Sequence, residues 1–236
     1  MPDAITRSII GYMIAGVDPL LLTERKKPVE EPVINYNSEF ALTDSVEQLE
    51  LVKQEALVCQ KCPLAKTRTK VVFGQGDPQA KLVFVGEAPG FDEDAQGLAF
   101  VGRAGQLLTR MIAAMKLTRE QVFICNIIKC RPPENRAPAP EEVIACQSYL
   151  ERQLVLIKPR IICALGLVSA QWLLGSKDSL GRLRGKFLPV PASRGLGLTD
   201  TRIMVTYHPA AVLRFPNYKK DVWEDLQKVM KELGIV

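Results

Sequence analysis

Four of the six cysteines have a spacing that suits a metal centre. They are Cys59, Cys62, Cys130 and Cys146. A structural zinc site usually takes its ligands from two close pairs, whereas here only the Cys-x-x-Cys pair is close. An iron–sulfur cluster gathered from distant parts of a fold suits this spacing better, and zinc or unligated thiols are the alternatives. Cys125 and Cys163 lie inside apolar runs and are expected to be small buried hydrophobic residues.

Length and charge narrow the class of protein. The 236 residues are 47% hydrophobic, enough for one core with a short appendage. Residues 1–50 carry nine acidic and four basic side chains, and the remainder carries 17 acidic and 27 basic ones. A basic body suits a polyanionic partner, although ordinary solubility charge is the alternative. Because we find neither a secretory signal nor an apolar run of about 18 residues that could cross a membrane, we expect a cytoplasmic protein.

The chain divides into an appendage and a domain. Residues 1–42 contain an apolar segment at Ile9–Leu22 and a charged, proline-bearing linker, and no role can be assigned to them. Residues 43–236 are expected to form the functional domain. A potential helix cap at Thr43 precedes apolar residues at helical spacing, namely Val46, Leu49, Val52 and Leu57. The spacing predicts a helix that leads to Cys59.

From Lys81 onward, strand patterns alternate with helix patterns. Strands are predicted at Leu82–Val85, Val122–Ile127, Arg160–Leu165 and Ile203–Thr206. Helices are predicted around Leu107–Met115 and at Pro140–Ile157, Val168–Leu174 and Val222–Leu233. This alternation predicts an α/β fold, a three-layer αβα sandwich around a mostly parallel four-stranded sheet. Reactive loops belong at the carboxyl ends of such strands, which favours Gly86–Gly90, Asn126–Asn135 and His208–Arg214.

Five segments together resemble one family, the family 4 uracil-DNA glycosylases that carry a [4Fe-4S] cluster. They are Val72–Asp77, Val85–Gly90, Phe100–Leu108, Asn126–Arg136 and His208–Arg214. The resemblance covers roughly residues 50–233 and leaves residues 1–42 outside. It implies the uracil-glycosylase fold, cleavage of the bond between uracil and deoxyribose, and a [4Fe-4S] cluster held by Cys59, Cys62, Cys130 and Cys146.

The resemblance also implies roles for residues around the base. Phe100 would stack on an extruded uracil, Asn126 would bind its O4/N3 edge, and His208 would donate to O2 of the departing base. The turn at Gly86, Glu87 and Ala88 would offer backbone amides. The alternatives are a core phenylalanine, an asparagine that caps a turn and a structural histidine.

The group that activates water is an open question in the sequence. The best-known uracil glycosylases have an aspartate where this chain has Ala88. The carboxylates close to this position in the sequence, which could activate water, are Glu87, Asp92, Glu93 and Asp94. Glu87 is the catalytic candidate, and the alternative is that an oxocarbenium-like sugar captures weakly activated water. Glu93 is expected near C5 of the base, where its bulk would exclude the methyl group of thymine.

Contacts to the DNA strand are expected from two segments. Val212 and Leu213 would wedge into the stack that the flipped nucleotide leaves. Arg214, Arg184 and Lys186 would meet phosphates, and solvated surface charge is the alternative for these three.

Two functions follow. The first is a DNA repair enzyme that removes uracil from single- or double-stranded DNA and leaves an abasic site, because no lysine in the motifs is placed to form a Schiff base. The alternative is a non-catalytic iron–sulfur module that recognises uracil in DNA within a repair or replication assembly. In either case we expect a monomer without a membrane association, located with the nucleoid, whose protein partners are unspecified.

Overall fold

The computed structural model describes residues 45–235, and its centre is a mixed sheet. The six strands are β1 (Gln75–Gly76), β2 (Leu82–Gly86), β3 (Phe123–Asn126), β4 (Ile161–Leu165), β5 (Phe187–Pro189) and β6 (Arg202–Thr206). Their order is β1-β3-β2-β4-β6-β5, with parallel pairing among the central four. These four are the predicted strands. The antiparallel edge strands β1 and β5 are two and three residues long, too short for an alternating pattern to reveal.

Eight α-helices belong to the described part of the chain. They are α1 (Ser45–Leu57), α2 (Phe91–Gln96), α3 (Arg103–Ala114), α4 (Pro140–Ile157), α5 (Leu167–Leu174), α6 (Leu180–Leu183), α7 (Pro209–Arg214) and α8 (Tyr218–Leu233). None of the helices within residues 45–235 is long and apolar enough to cross a membrane. The predictions for residues 1–42 and for the cap at Thr43 lie outside the described residues.

The sheet separates two apolar layers, as the predicted sandwich requires. Val83 and Val85 of β2 belong to the apolar cluster that includes residues of α1, α4 and α5. Leu82 and Phe84 belong to the other cluster, which includes residues of α3 and α8. Because neighbouring residues of a strand face opposite sides, a strand covered on both faces must be apolar throughout. All five residues of β2 are buried accordingly.

Strand register sets the position of the site. In the parallel pairing of β2 with β3, Gly86 lies opposite Asn126, so both residues end their strands at the same edge. Leu165 of β4 lies opposite Thr206 of β6, two residues before His208. The carboxyl ends of the central strands therefore bring together the loops that the sequence singled out.

Candidate active site

Phe100, Asn126 and His208 meet around the end of strand β2. The ring centroids of Phe100 and His208 are 5.6 Å apart. A Cβ atom built on Gly86 would lie 2.6 Å from Cζ of Phe100 and 2.4 Å from Oδ1 of Asn126. Such distances are shorter than van der Waals contact, so only glycine leaves room for this arrangement. Three residues that are far apart in the sequence thus share one site.

The side chain of Asn126 has a buried acceptor that no protein donor satisfies. Asn126 is 1% exposed, and its Oδ1 lacks a hydrogen-bond partner among the described residues. An unpaired buried acceptor costs roughly 1–3 kcal/mol. Its main chain is well held, since the following Ile127 N–H donates to the carbonyl of Gly86 at 3.0 Å. A ligand that donates a hydrogen bond to Oδ1 would relieve the cost.

Phe100 has a backbone conformation that is strained for a bulky residue. Its φ is +54°, in the left-handed region. The guanidinium of Arg119 holds it there by donating to the carbonyls of Ala99 at 2.6 Å and Phe100 at 3.2 Å. A Cβ atom on Gly105 would lie 1.9 Å from the Phe100 carbonyl, so helix α3 can approach only through glycine. The conformation is therefore imposed by its surroundings. No signal in the sequence pointed to Arg119.

The other side of the Phe100 loop is held by Glu93. Its Oε1 accepts from the amides of Val101 and Gly102, both at 2.9 Å, and its Oε2 accepts from the amide of Gly90 at 3.1 Å. Glu93 is 9% exposed and caps the start of α2. The carboxylate thus joins the Gly86–Gly90 turn to the Phe100 loop. Its expected place beside C5 of a base stays a prediction.

His208 presents one defined nitrogen to the site. It caps helix α7, and its Nδ1 accepts a hydrogen bond from the amide of Ala210 at 3.1 Å. In the neutral ring the proton is therefore on Nε2, which can donate. Burial lowers the pKa of His208 to about 4, and the charge of Glu93 opposes this shift. A Cβ atom on Gly166 would lie 3.1 Å from Cβ of His208, so the end of β4 approaches the histidine closely.

Among the candidate carboxylates, Glu87 and Asp94 have different surroundings. Glu87 follows Gly86 directly and is half-buried, and this burial raises the pKa of its carboxyl above the usual value. Asp94 is 4% exposed and accepts from the amide of Thr69 at 2.9 Å. Asp94 therefore anchors a neighbouring loop, whereas Glu87 lies on the turn that forms the site.

Arg184, for which a phosphate contact was predicted, pairs with two carboxylates of the protein. Its guanidinium lies 3.2 Å from the carboxylate of Asp225 and 3.6 Å from that of Asp221. Asp225 is fully buried and also accepts from Oγ1 of Thr206 at 2.7 Å. Arg184 neutralises this buried carboxylate, and breaking such a pair by removing one partner is strongly destabilising. The network supports the end of β6, just before His208.

The two residues of the predicted wedge differ in exposure. Val212 is 2% exposed and packs in the core, so it cannot enter a base stack. Leu213 is 39% exposed and remains a candidate, and Arg214 and Lys186 are exposed. Helical rotation explains the difference, because adjacent residues of α7 face different directions.

An exposed aromatic residue near the site was not predicted from the sequence. Phe91 is 64% exposed and directly follows the Gly86–Gly90 turn. The guanidinium of Arg131 lies 5.1 Å from the centre of its ring, within the range of a cation–π contact. The position of Phe91 after a glycine-rich turn was the signal available in the sequence.

The four spaced cysteines line a single cavity. Lys61, Arg68 and Tyr149 also line it. The Arg68 guanidinium donates to Sγ of Cys130, and the Lys129 amide donates to Sγ of Cys146, both at 3.2 Å. Cys125 and Cys163 are fully buried away from it, as predicted.

The donor set of this cavity consists of four cysteines, and cysteine thiolates are the usual ligands of iron–sulfur clusters. Burial raises the pKa of Cys146 to about 11, and thiolates there call for a positively charged partner. Four cysteines from three separate segments, with N–H donors to two sulfurs, fit an iron–sulfur cluster.

The sequence of this chain is similar to those of known proteins. Residues 73–227 match the family model described as the uracil DNA glycosylase superfamily. A type-4 uracil-DNA glycosylase of Archaeoglobus fulgidus is 44% identical over 193 residues, which are 80% of this chain and 95% of that protein. A type-4 uracil-DNA glycosylase of Thermotoga maritima is 40% identical over 185 residues, 77% of this chain and 93% of that protein. A type-5 uracil-DNA glycosylase of Thermus thermophilus is 31% identical over 144 residues, 53% and 65% of the two chains.

Proposed function

The chain belongs to the type-4 uracil-DNA glycosylases, and we propose that it extrudes uracil from DNA and hydrolyses the N-glycosidic bond, leaving an abasic site. The observation that carries this proposal is the unpaired, buried Oδ1 of Asn126 beside the ring of Phe100. A planar base that donates one hydrogen bond complements such a site. DNA repair follows as the process that such an activity serves.

Asn126 would select uracil through its amide. The O4/N3 edge of uracil carries one acceptor and one N–H donor, so Oδ1 would accept from N3–H while Nδ2 donates to O4. Cytosine has an amino group and an unprotonated N3 at the same positions. A fixed amide would leave two buried polar groups unpaired with cytosine, which can reduce the rate by orders of magnitude. The close approach of Gly86 supports a fixed amide.

His208 would stabilise the departing base. Cleavage places negative charge on uracil, and the Nε2–H of a neutral His208 would donate to its O2. The hydrogen bond from Ala210 orients the ring before reaction, so little reorganisation is needed in the transition state. One preorganised donor of this kind is worth roughly 10² to 10³ in rate.

Glu87 would act on the sugar side of the bond. Its half-buried carboxylate lies one residue after Gly86, so it can face a cationic sugar from the same turn that contacts the base. The raised pKa makes this carboxylate a better proton acceptor for water than an exposed one. The alternative is that Glu87 does not act as a base, because an oxocarbenium-like sugar can capture water without one.

The cysteine cavity would hold the [4Fe-4S] cluster through Cys59, Cys62, Cys130 and Cys146. When bound, the cluster would supply four metal–thiolate cross-links rather than a reaction step. These cross-links would join the segment after α1, the loop after β3 and helix α4. Because Cys130 lies four residues after Asn126, the same cross-links would stiffen the loop that carries the specificity amide.

The DNA strand would lie over the exposed residues that surround the site. Leu213 would fill the gap in the stack, and Arg214 and Lys186 would meet phosphates. Phe91 with Arg131 adds a surface on which an unpaired base could stack. We further propose that the protein is a monomer, that it is located with the nucleoid, and that it has an unspecified repair or replication partner.

Alkaline cleavage of a uracil-containing oligonucleotide tests the function. We expect iron-loaded protein to produce strand scission at the uracil after alkali, and none in oligonucleotides with cytosine or thymine at that position. Tight binding of the uracil strand without scission would instead favour a non-catalytic module that recognises uracil in a larger assembly. The same experiment with single strands and duplexes determines the strand preference.

A further inference from the structure

Lys129 is a buried lysine that contacts the main chain of Asn126. It is 1% exposed, and its ammonium donates to the carbonyl oxygen of Asn126 at 2.8 Å. It also donates to Oε1 of Gln153, a fully buried residue of α4, at 2.6 Å. Nε2 of Gln153 in turn donates to the carbonyl of Phe73 at 2.9 Å. The ammonium is therefore fixed between the loop after β3 and helix α4.

The main chain of Lys129 faces the cysteine cavity. Its amide donates to Sγ of Cys146 at 3.2 Å, and its carbonyl accepts from the amide of Val72 at 2.7 Å. One residue thus bonds to a cysteine of the cavity through its backbone and to Asn126 through its side chain. Burying a lysine is costly unless its charge is compensated, so simple packing would be served better by an apolar residue.

We propose that Lys129 is a positioning residue that fixes Asn126 for base recognition and links it to the cluster-binding cysteines. This inference rests on the proposed function of Asn126. Holding the carbonyl of Asn126 fixes the peptide to Ile127, whose amide bonds to Gly86. Rotation of that peptide would move the amide side chain of Asn126 away from the place that Gly86 leaves open. The hydrogen bond from the Lys129 ammonium to the carbonyl of Asn126 opposes this rotation.

The test is the affinity for free uracil, because uracil meets Asn126 without requiring contacts to DNA. Lys129→Met removes the donor at similar volume. We expect the dissociation constant of free uracil, measured by isothermal titration calorimetry, to rise roughly three- to tenfold in iron-loaded protein, the effect of losing one hydrogen bond worth about 1 kcal/mol. Lys66→Met, the same substitution at an exposed position, is the matched control and should bind uracil as the parent does.

A double variant separates positioning from stability. Lys129→Met leaves Gln153 with an unpaired buried oxygen, whereas Lys129→Met with Gln153→Met removes that oxygen but also the hydrogen bond from Nε2 of Gln153 to the carbonyl of Phe73. We expect the double variant to recover part of the melting temperature and iron content lost in Lys129→Met, while uracil affinity and KM remain impaired. Parental uracil affinity in either variant would overturn the inference. A parent protein that binds uracil but does not release it from DNA would contradict the proposed activity instead, so the two failures are distinguishable.

Discussion

The rings of Phe100 and His208 lie with centroids 5.6 Å apart and planes inclined by 36°. A base stacked between two ring faces needs about 3.5 Å on each side, more than this separation allows. Phe100 can therefore stack on the face of a base only if His208 meets its edge. The two rings therefore have different roles: Phe100 stacks on the base, and His208 forms a hydrogen bond with it.

Removal of the His208 imidazole should reduce catalysis more than binding. We expect His208→Ala to lose roughly 10² to 10³ in the single-turnover cleavage rate, because the donor to the departing base is gone. Affinity for uracil-containing DNA, measured by fluorescence anisotropy, should stay near the parent value. His208→Asn keeps a residue that can cap α7 and controls for loss of the helix cap. Unchanged turnover in His208→Ala would refute its role.

The protonation of His208 can be observed directly, since the chain contains one histidine. Burial lowers its pKa from 6.5 to about 4, so the folded protein should hold a neutral imidazole with its proton on Nε2 above about pH 5. Between pH 6.5 and 4 the unfolded chain binds the proton more readily, so this residue lowers the free energy of unfolding as the pH falls. Nitrogen-15 NMR of the imidazole checks both points. If the imidazole of His208 titrated near pH 6.5, the ring would be exposed to water and its proposed burial would be wrong.

Substitution of Asn126 should change base selection. Asn126→Asp with a protonated carboxyl can present a donor to N3 of cytosine, so discrimination between uracil and cytosine should narrow. The measurement compares excision from oligonucleotides that carry each base, with thymine as the control substrate. A variant that remains as strict against cytosine as the parent would remove Asn126 from its role in specificity.

A substitution at Gly86 tests the shape of the site without removing any polar group. Gly86→Ala would put a methyl group 2.6 Å from Phe100 and 2.4 Å from Asn126, so the site must distort. We expect uracil affinity to fall by at least about tenfold, the result of losing roughly 1.4 kcal/mol. Gly181→Ala is the control, because nothing lies within 4 Å of its Cβ position. If Gly86→Ala bound uracil as tightly as the parent protein does, the base would not bind beside Gly86.

Cluster binding should depend on Cys130 and not on the cysteines outside the cavity. Cys130→Ser should lower iron content, reduce the visible absorbance of the cluster and lower the melting temperature, because links between distant segments are released. Cys125→Ala, at a fully buried position in β3, should cost some stability but keep the iron. Full iron content in Cys130→Ser would exclude that residue as a ligand.

Local patterns were sufficient to predict the central strands and the loops at their ends. The continuous apolar runs of β2 and β4 reflect burial on both faces of the sheet. Such a run consists of consecutive residues, so it can be recognised from the sequence alone. The register of parallel strands then brought the predicted Asn126 beside Gly86. Parallel strands carry their loops to one edge, which is why site residues could be identified in a sequence without coordinates.

The sequence by itself determined the alternation of elements, the cysteine set and the residue types at the strand ends. Only the tertiary structure decided that Arg184 pairs with Asp225, that Val212 enters the core and that Phe100 is left-handed. Each of these depends on a partner far away in the chain, or on the rotation of a helix against the sheet. Local periodicity carries no information about such partners, because they are selected by packing and electrostatics after the elements have met.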